Sequence, residues 1–246
     1  MRKDKNEEFV CGVNLVEAIL RLRPNSAKTL FILETKSNSR IEKISSLANK
    51  NKIEVLTKGK EFFHTYFEQE NHQGLALLCW NRLEESEDLL DELLKKESLL
   101  ILILDHLTDP HNVGACLRNA AAVNADAVIV PKNRSCHLTP TVRKVSSGGS
   151  ELVPFIVVTN LVRTIKKLQM NDVNVIGSDK EGDINYQNIK ADKKNALVIG
   201  SEDKGLKKLT AKNCDFLVKI EMPGTMESLN ASVASGILLF EMIRKN

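Results

Sequence analysis

Three stretches of the chain combine glycines, amides, hydroxyls and charges at spacings that could do chemistry. The first reads Asp109-Pro110-His111-Asn112-Val113-Gly114-Ala115-Cys116-Leu117-Arg118 and suits a turn entering a helix. Asn112 either caps that helix, accepting a backbone N–H, or reaches into a site. Arg118 follows six residues later among Ala115, Leu117, Ala120, Ala121, Ala122 and Val123. A guanidinium on so apolar a helix needs a partner, either an internal carboxylate or a ligand phosphate. The second stretch is Gly200-Ser201-Glu202-Asp203-Lys204-Gly205. Its glycines permit close backbone approach to a ligand, or simply a strand-to-helix turn. The third runs from Ile220 through Ser228-Leu229-Asn230 into an apolar segment. Ser228 and Asn230 could cap the helix that follows or orient a substrate.

Other patterns are less specific. Ser146-Ser147-Gly148-Gly149-Ser150-Glu151 reads as a flexible linker, or as a phosphate contact beside Arg143 and Lys144. There is no Gly-Lys-Ser/Thr phosphate loop and no Gly-x-Gly-x-x-Gly fingerprint, which disfavours the common nucleotide-binding classes. His106 and His111 have no third ligand nearby, so no metal is expected. The five cysteines form no Cys-x-x-Cys pair, as expected of reduced thiols in a cytoplasmic protein.

These stretches need elements to hold them. Apolar runs at Leu99–Asp105, Ala127–Val130, Val173–Gly177, Ala196–Gly200 and Phe216–Ile220 read as buried strands. Helical spacing appears at Val113–Val123, Leu161–Gln169 and Asn230–Arg244. Short apolar strands alternating with helices predict an α/β fold with a parallel sheet covered on both faces. Ligands of such sheets sit at the carboxyl ends of the strands, where the three stretches fall. The last helix is apolar around nearly its whole circumference, predicting burial on more than one side, either within one subunit's core or in a homodimer. The N-terminal part predicts helices at Asn14–Leu20 and Ser39–Asn49, with strands at Thr29–Leu33, Ile53–Leu56 and Gly74–Cys79, a small α/β unit.

Residues 81–98 carry three basic and seven acidic groups. They read as an acidic linker with a short helix, separating a domain of residues 1–80 from one of residues 99–246. The net charge of +3 is too small to prove a polyanionic partner by itself. The longest apolar run, Leu99–Leu104, is far short of the about 20 residues of a membrane span, and the charged N-terminus does not resemble a secretory signal.

Taken in order, the three stretches resemble the motifs of the SpoU (TrmH-like) branch of the SPOUT methyltransferases. Asn112, Gly114 and Arg118 match the first motif, Gly200-Ser201-Glu202 with Gly205 the second, and Ser228-Leu229-Asn230 with Ser232 and Ala234 the third. Val10-Cys11-Gly12, Glu17-Ala18, His72-Gln73-Gly74 and Val158-Thr159-Asn160-Leu161 extend the likeness to the branch's 23S rRNA guanosine 2′-O-methyltransferases, rather than its tRNA enzymes. The sequence departs at Glu221, where the branch usually has proline, and at Ser201, where alanine is common.

The resemblance implies a C-terminal SPOUT domain with a trefoil knot, which physics alone would not suggest, and an N-terminal RNA substrate-binding domain. It implies S-adenosylmethionine as cofactor, held by Gly200, Ile220 and Leu229. The implied reaction is 2′-O-methylation of a guanosine in the peptidyl-transferase region of 23S rRNA. A 2′-hydroxyl acceptor means RNA and excludes DNA. The implied catalytic set is Arg118, Asn112, Glu202, Ser228 and Asn230. Arginine stays protonated, so Arg118 is expected to grip a phosphate and acidify the hydroxyl, with the other four orienting it and the ribose.

Overall fold

The computed structural model describes residues 6–36, 38–68, 71–202, 204–226 and 228–245. The first sheet is built from β1 (Glu7–Cys11), β2 (Ala27–Leu33), β3 (Glu54–Lys58) and β4 (Leu75–Trp80), in the order β1-β4-β2-β3. β4 runs antiparallel to β1 and β2, while β2 and β3 are parallel. Helices α1 (Val13–Leu22) and α2 (Ser39–Lys50) pack on one face over Val10, Leu30, Leu75 and Leu77. Asn38 starts α2 by accepting from Arg40 N and Ile41 N. Helix α3 (Lys60–Phe67) covers the other face, where Phe63 and Phe67 meet Phe31, Ala76 and Leu78.

Neither β1 nor α3 stood out in the sequence. β1 carries Glu7 and Glu8, both buried, and each has a basic partner, Lys28 and Arg143 respectively. The aromatic run of α3 has modest helix propensity and is held by packing.

The acidic stretch that follows is strapped down rather than loose. Glu85 bonds the edge strand β7 (Phe155–Val158) from both sides, through Glu85 N to Phe155 O and Val157 N to Glu85 O. Arg163 donates to Glu87 at 2.9 Å, and Lys167 pairs with Asp91 at 2.7 Å. The short helix α4 (Leu89–Leu93) buries Leu90 and Leu93. The strap thereby covers a sheet edge that would otherwise be open to other chains.

The second sheet holds β5 (Leu99–Asp105), β6 (Ala127–Pro131), β7, β8 (Asn174–Ser178), β9 (Ile184–Asn185), β10 (Lys194–Gly200) and β11 (Phe216–Lys219). Its order is β7-β6-β5-β10-β8-β11-β9, and every pair is parallel. Leu100, Leu102 and Leu104 face α5 (Pro110–Ala122) and α10 (Ala231–Lys245). Leu99, Ile101 and Ile103 face the opposite way, toward α4 and α8 (Leu161–Gln169). Two short helices, α6 (Pro140–Val145) and α7 (Gly149–Leu152), precede β7, and α9 (Lys208–Asn213) precedes β11.

The Ser146–Glu151 stretch is not a flexible linker. It enters α7 and forms the junction with the N-terminal sheet and α1. Arg143 is 1% exposed. It contacts Glu8 and donates to Glu151 Oε1 at 2.8 Å, while Arg23 reaches Glu151 Oε2 at 2.6 Å. Burial alone would raise the Glu151 carboxyl, but Arg143 and Arg23 hold it below its ordinary pKa. Gly148 has φ +96°, and a Cβ there would lie 3.0 Å from Ala18 Cβ, so glycine lets α1 approach.

Candidate active site

Because all seven strands are parallel, their carboxyl ends share one edge, and the loops there run in sheet order. Between the ends of the outermost strands, β7 and β9, the loop after β6 is followed by those after β5, β10, β8 and β11. The last four of these build one site.

At its centre lie three side chains from three loops. The turn before α5 is capped by Asp109, whose carboxylate accepts from His111 N at 3.0 Å and Asn112 N at 3.4 Å. Asn112 is therefore not the cap but the third residue of α5, 6% exposed. With Asp109 capping, its amide is released for tertiary contact and donates to Glu202 Oε1 at 2.9 Å. Asn230 closes the cluster. Its Nδ2 donates to Asn112 Oδ1 at 2.8 Å and also to Glu202 Oε1. Its Oδ1 accepts from Ser232 N at 2.9 Å, so it caps α10 and orients the cluster at once. Ala231 N at the start of α10 also donates to Glu202 Oε1, at 3.3 Å, placing a carboxylate where the helix dipole favours one. The other carboxylate oxygen of Glu202 accepts no hydrogen bond among the described residues and remains available to a substrate hydroxyl.

Beside this cluster is a cavity of about 310 Å³. Gly200, Ile220 and Leu229 line it together, as do Glu202 and Ser228. Ser228 is exposed and makes no hydrogen bond among the described residues. Gly200 has a stricter reason to be glycine than ligand approach. A Cβ there would fall 2.2 Å from Gly205 C and 2.3 Å from Leu206 N, so the backbone of the loop itself occupies that space. The loop closes through Ser201 and Gly205, which exchange backbone hydrogen bonds at 3.2 and 2.8 Å. Asp105 anchors its far end, accepting from Lys207 N at 2.8 Å.

Two parts of the sequence reading fall differently. Arg118 is not gathered into the cluster. It lies about 9 Å along α5 from Asn112 and on another side of the helix. It is exposed and has no ion pair among the described residues. The helix buries Val113, Cys116, Leu117 and Ala120 instead, leaving the guanidinium on the outer surface. Ser178, which ends β8, and Asp179 and Lys180 after it form a further wall of the cavity that the sequence reading missed. The carboxyl-end rule, applied to the strand read at Val173–Gly177, would have pointed to them.

Helix α10 is buried along Ala231, Ser235, Leu238, Leu239 and Met242. Its opposite side is apolar but open, with Val233 49% and Phe240 53% exposed and Ile243 also exposed. The buried side packs against α5, where Asn119 Nδ2 donates to Ser232 O at 2.7 Å and Ser235 Oγ at 3.0 Å. Cys116, beneath, is a buried thiol pushed up to about 12. It is inert at neutral pH. Among the described residues no group of three His, Cys, Asp or Glu could hold a metal, and no helix is long and apolar enough to cross a membrane.

Comparison with known proteins places this geometry. Residues 99–240 match the SpoU rRNA Methylase family, and residues 9–81 match the RNA 2′-O ribose methyltransferase substrate binding domain. The 23S rRNA (guanosine-2′-O-)-methyltransferase RlmB of Pseudomonas putida is 41% identical over 97% of this chain and 96% of its own length. The Escherichia coli K12 protein of the same name is 37% identical over 97% and 98%. Among solved structures, the SpoU methyltransferase AviRb of Streptomyces viridochromogenes, in complex with AdoMet, superposes with a TM-score of 0.79. It is 21% identical and covers 98% of this chain and 90% of that one.

Proposed function

The chain belongs to the SpoU rRNA methylase family, and we propose that it methylates the ribose 2′-oxygen of a guanosine in 23S rRNA, using S-adenosylmethionine. The observation that carries this reading is the Asn112–Glu202–Asn230 cluster at the rim of the cavity lined by Gly200, Ile220 and Leu229. The rRNA substrate rests on the two RlmB relatives, which align along nearly the whole of both chains. The cavity volume falls within the range of small-molecule sites. Its lining mixes glycines and aliphatic side chains with charged and hydroxyl groups such as Asp179, Lys180 and Ser228, which suits a cofactor with an apolar body and polar ends. When bound there, S-adenosylmethionine supplies an activated methyl group on a sulfonium.

The remaining chemistry belongs to the chain. Asn112 and Asn230 fix Glu202 so that its free oxygen can accept from the ribose and hold the 2′-hydroxyl in line. Ser228, at the cavity wall, offers a further hydroxyl for orientation. Arg118 cannot act on this cluster from within the same chain, given its place on α5. A second copy seated on Val233, Phe240 and Ile243 would cover the α5–α10 surface and bring its own Arg118 toward this site. The reading is therefore a homodimer, with each Arg118 gripping substrate phosphate at the partner's site and acidifying the hydroxyl. The proton leaves through phosphate or water. The family's trefoil knot is part of the reading. So are residence in the cytoplasm, where the ribosome is built, and independence from metal.

The test is ribose-methylation mapping of rRNA and tRNA with and without the gene. The expected result is loss of one 2′-O-methylguanosine in the peptidyl-transferase region of 23S rRNA. An unchanged 23S rRNA pattern with a missing tRNA mark would overturn the substrate assignment.

A further inference from the structure

The site so described has one flank with no assigned role. Of the five loops between the outermost strands at the carboxyl edge, those after β10, β8 and β11 enclose the cavity, and the one after β5 delivers Asn112. The fifth, Lys132–Thr139, follows β6 on the other side of β5. If the cavity holds the cofactor, the target strand must reach the Asn112–Glu202–Asn230 cluster from elsewhere, and this loop borders the open approach.

Its construction is unusual for a surface connection. Lys132 N donates to Val158 O and Cys136 N to Leu107 O, each at 2.8 Å, so both ends are tied to neighbouring strands and loops. The Leu107 bond couples it directly to the loop carrying Asn112. His137 is clamped between Glu84 at 3.0 Å and Lys132 O at 2.9 Å. Leu138 N donates to the same glutamate at 2.7 Å. Between these anchors Lys132, Asn133 and Arg134 are all exposed. Arg134 has φ +58°, a conformation that favours glycine, and residues held so often serve a site.

Charge completes the case. Two acids, Asp109 and Glu84, act on the loop at Cys136. Asp109 is engaged in capping α5 and Glu84 in holding His137 and Leu138 N. Lys132 and Arg134 have no ion pair among the described residues. The result is a rigid loop presenting two uncompensated cations and an amide beside the catalytic cluster. Resting on the RNA methyltransferase reading above, we infer that Lys132 and Arg134 bind the RNA backbone phosphates next to the target nucleotide and so position its ribose. The partner is a phosphodiester chain in single-stranded form, the form in which proteins read an individual nucleotide of RNA.

The experiment compares wild type with the double variant Lys132→Gln/Arg134→Gln, using a labelled 23S rRNA fragment of the peptidyl-transferase region. Binding is measured between 50 and 200 mM salt (on the order of the range where such contacts respond). The slope of log affinity against log salt should shrink by about 1.4, as two phosphate contacts on a single strand are lost. KM for the fragment should rise about tenfold or more with kcat within about twofold, because the contact is made equally before and during reaction. Cofactor affinity should not change. The charge-preserving Lys132→Arg/Arg134→Lys should recover most of the binding. Arg134→Gly should melt at a higher temperature than wild type yet bind RNA more weakly, which a merely structural arginine would not do. An unchanged salt slope and KM in the Gln variant would overturn the inference. So would failure of the charge-preserving variant to recover binding while folded as wild type. The salt slope is read on binding alone, so it decides the loop's role even if the methylated nucleotide proves to lie in another RNA.

Discussion

Asn112→Asp tests the centre of the site with a change of almost no volume. It replaces the Nδ2 donor, 2.9 Å from Glu202 Oε1, with a carboxylate oxygen. Two charges at that separation repel by about 6 kcal/mol at an effective dielectric of 20. Uptake of a proton caps the penalty. Asp ordinarily titrates near 3.9, so holding one proton on the pair at pH 7 costs about 4 kcal/mol. Asn112 is buried but Glu202 is exposed, so Glu202 can swing toward water, and the expected loss is about 2 to 4 kcal/mol. At pH 5 the cap falls to about 1.5 kcal/mol. The sign follows from linkage. The paired carboxyl has a folded-state pKa above its unfolded value, so the folded state takes up protons and the penalty shrinks as pH falls. Urea unfolding at pH 5 and pH 7 measures it, with Asn112→Ala as the comparison that loses the contact without adding charge. Methyl transfer at pH 7 should disappear in the Asp variant, because Glu202 would leave Asn230 and Ala231 N. A pH dependence identical in the Asp and Ala variants would refute the geometry, as would near wild-type methylation at pH 7.

Four further outcomes follow from the same structure. Gly200→Ala should leave the circular dichroism spectrum unchanged but weaken S-adenosylmethionine binding at least about tenfold by calorimetry, since the new Cβ forces the 201–206 backbone off its path. Phe240→Glu should convert the protein to a 27.5 kDa species in light scattering, with methylation lost, because a charge on the open apolar face of α10 cannot be buried against a second copy. Arg118→Lys should lower single-turnover methylation by about 100-fold or more with cofactor affinity nearly unchanged, as an ammonium cannot hold a phosphate and orient beside a hydroxyl as a planar guanidinium can. Because Arg143 and Arg23 depress the Glu151 carboxyl, its contribution is present above the usual Glu pKa of about 4.3 and is lost as pH falls through the lower folded value. The melting temperature of wild type should drop more steeply below pH 4 than that of Glu151→Gln.

The alternation of apolar strands with helices was enough to determine a parallel α/β sheet, because strands buried on both faces leave few polar positions and no other arrangement covers them. The same logic located the functional loops at the carboxyl edge. Gly200, Ile220 and Leu229 lie 29 residues apart at most, and parallel topology brings their loops to one cavity. Elements stabilised by distant partners were not legible. β1 is a strand because Lys28 and Arg143 neutralise Glu7 and Glu8, residues that in isolation argue against one. The Ser146–Glu151 stretch looks like a linker until Arg23, more than 120 residues away in sequence, pairs with Glu151. Local pattern could not choose between Asn112 as cap and Asn112 as site residue, since Asp109 satisfied the cap and only the fold brought Glu202 and Asn230 within reach. Arg118 shows the converse. Its apolar neighbours suggested an inward guanidinium, but helix phase turned it outward, beside Gly149 of α7 rather than into the cluster. Which side chains meet across loops is set by strand order and helix phase together, and both are properties of the packed whole rather than of any window of sequence.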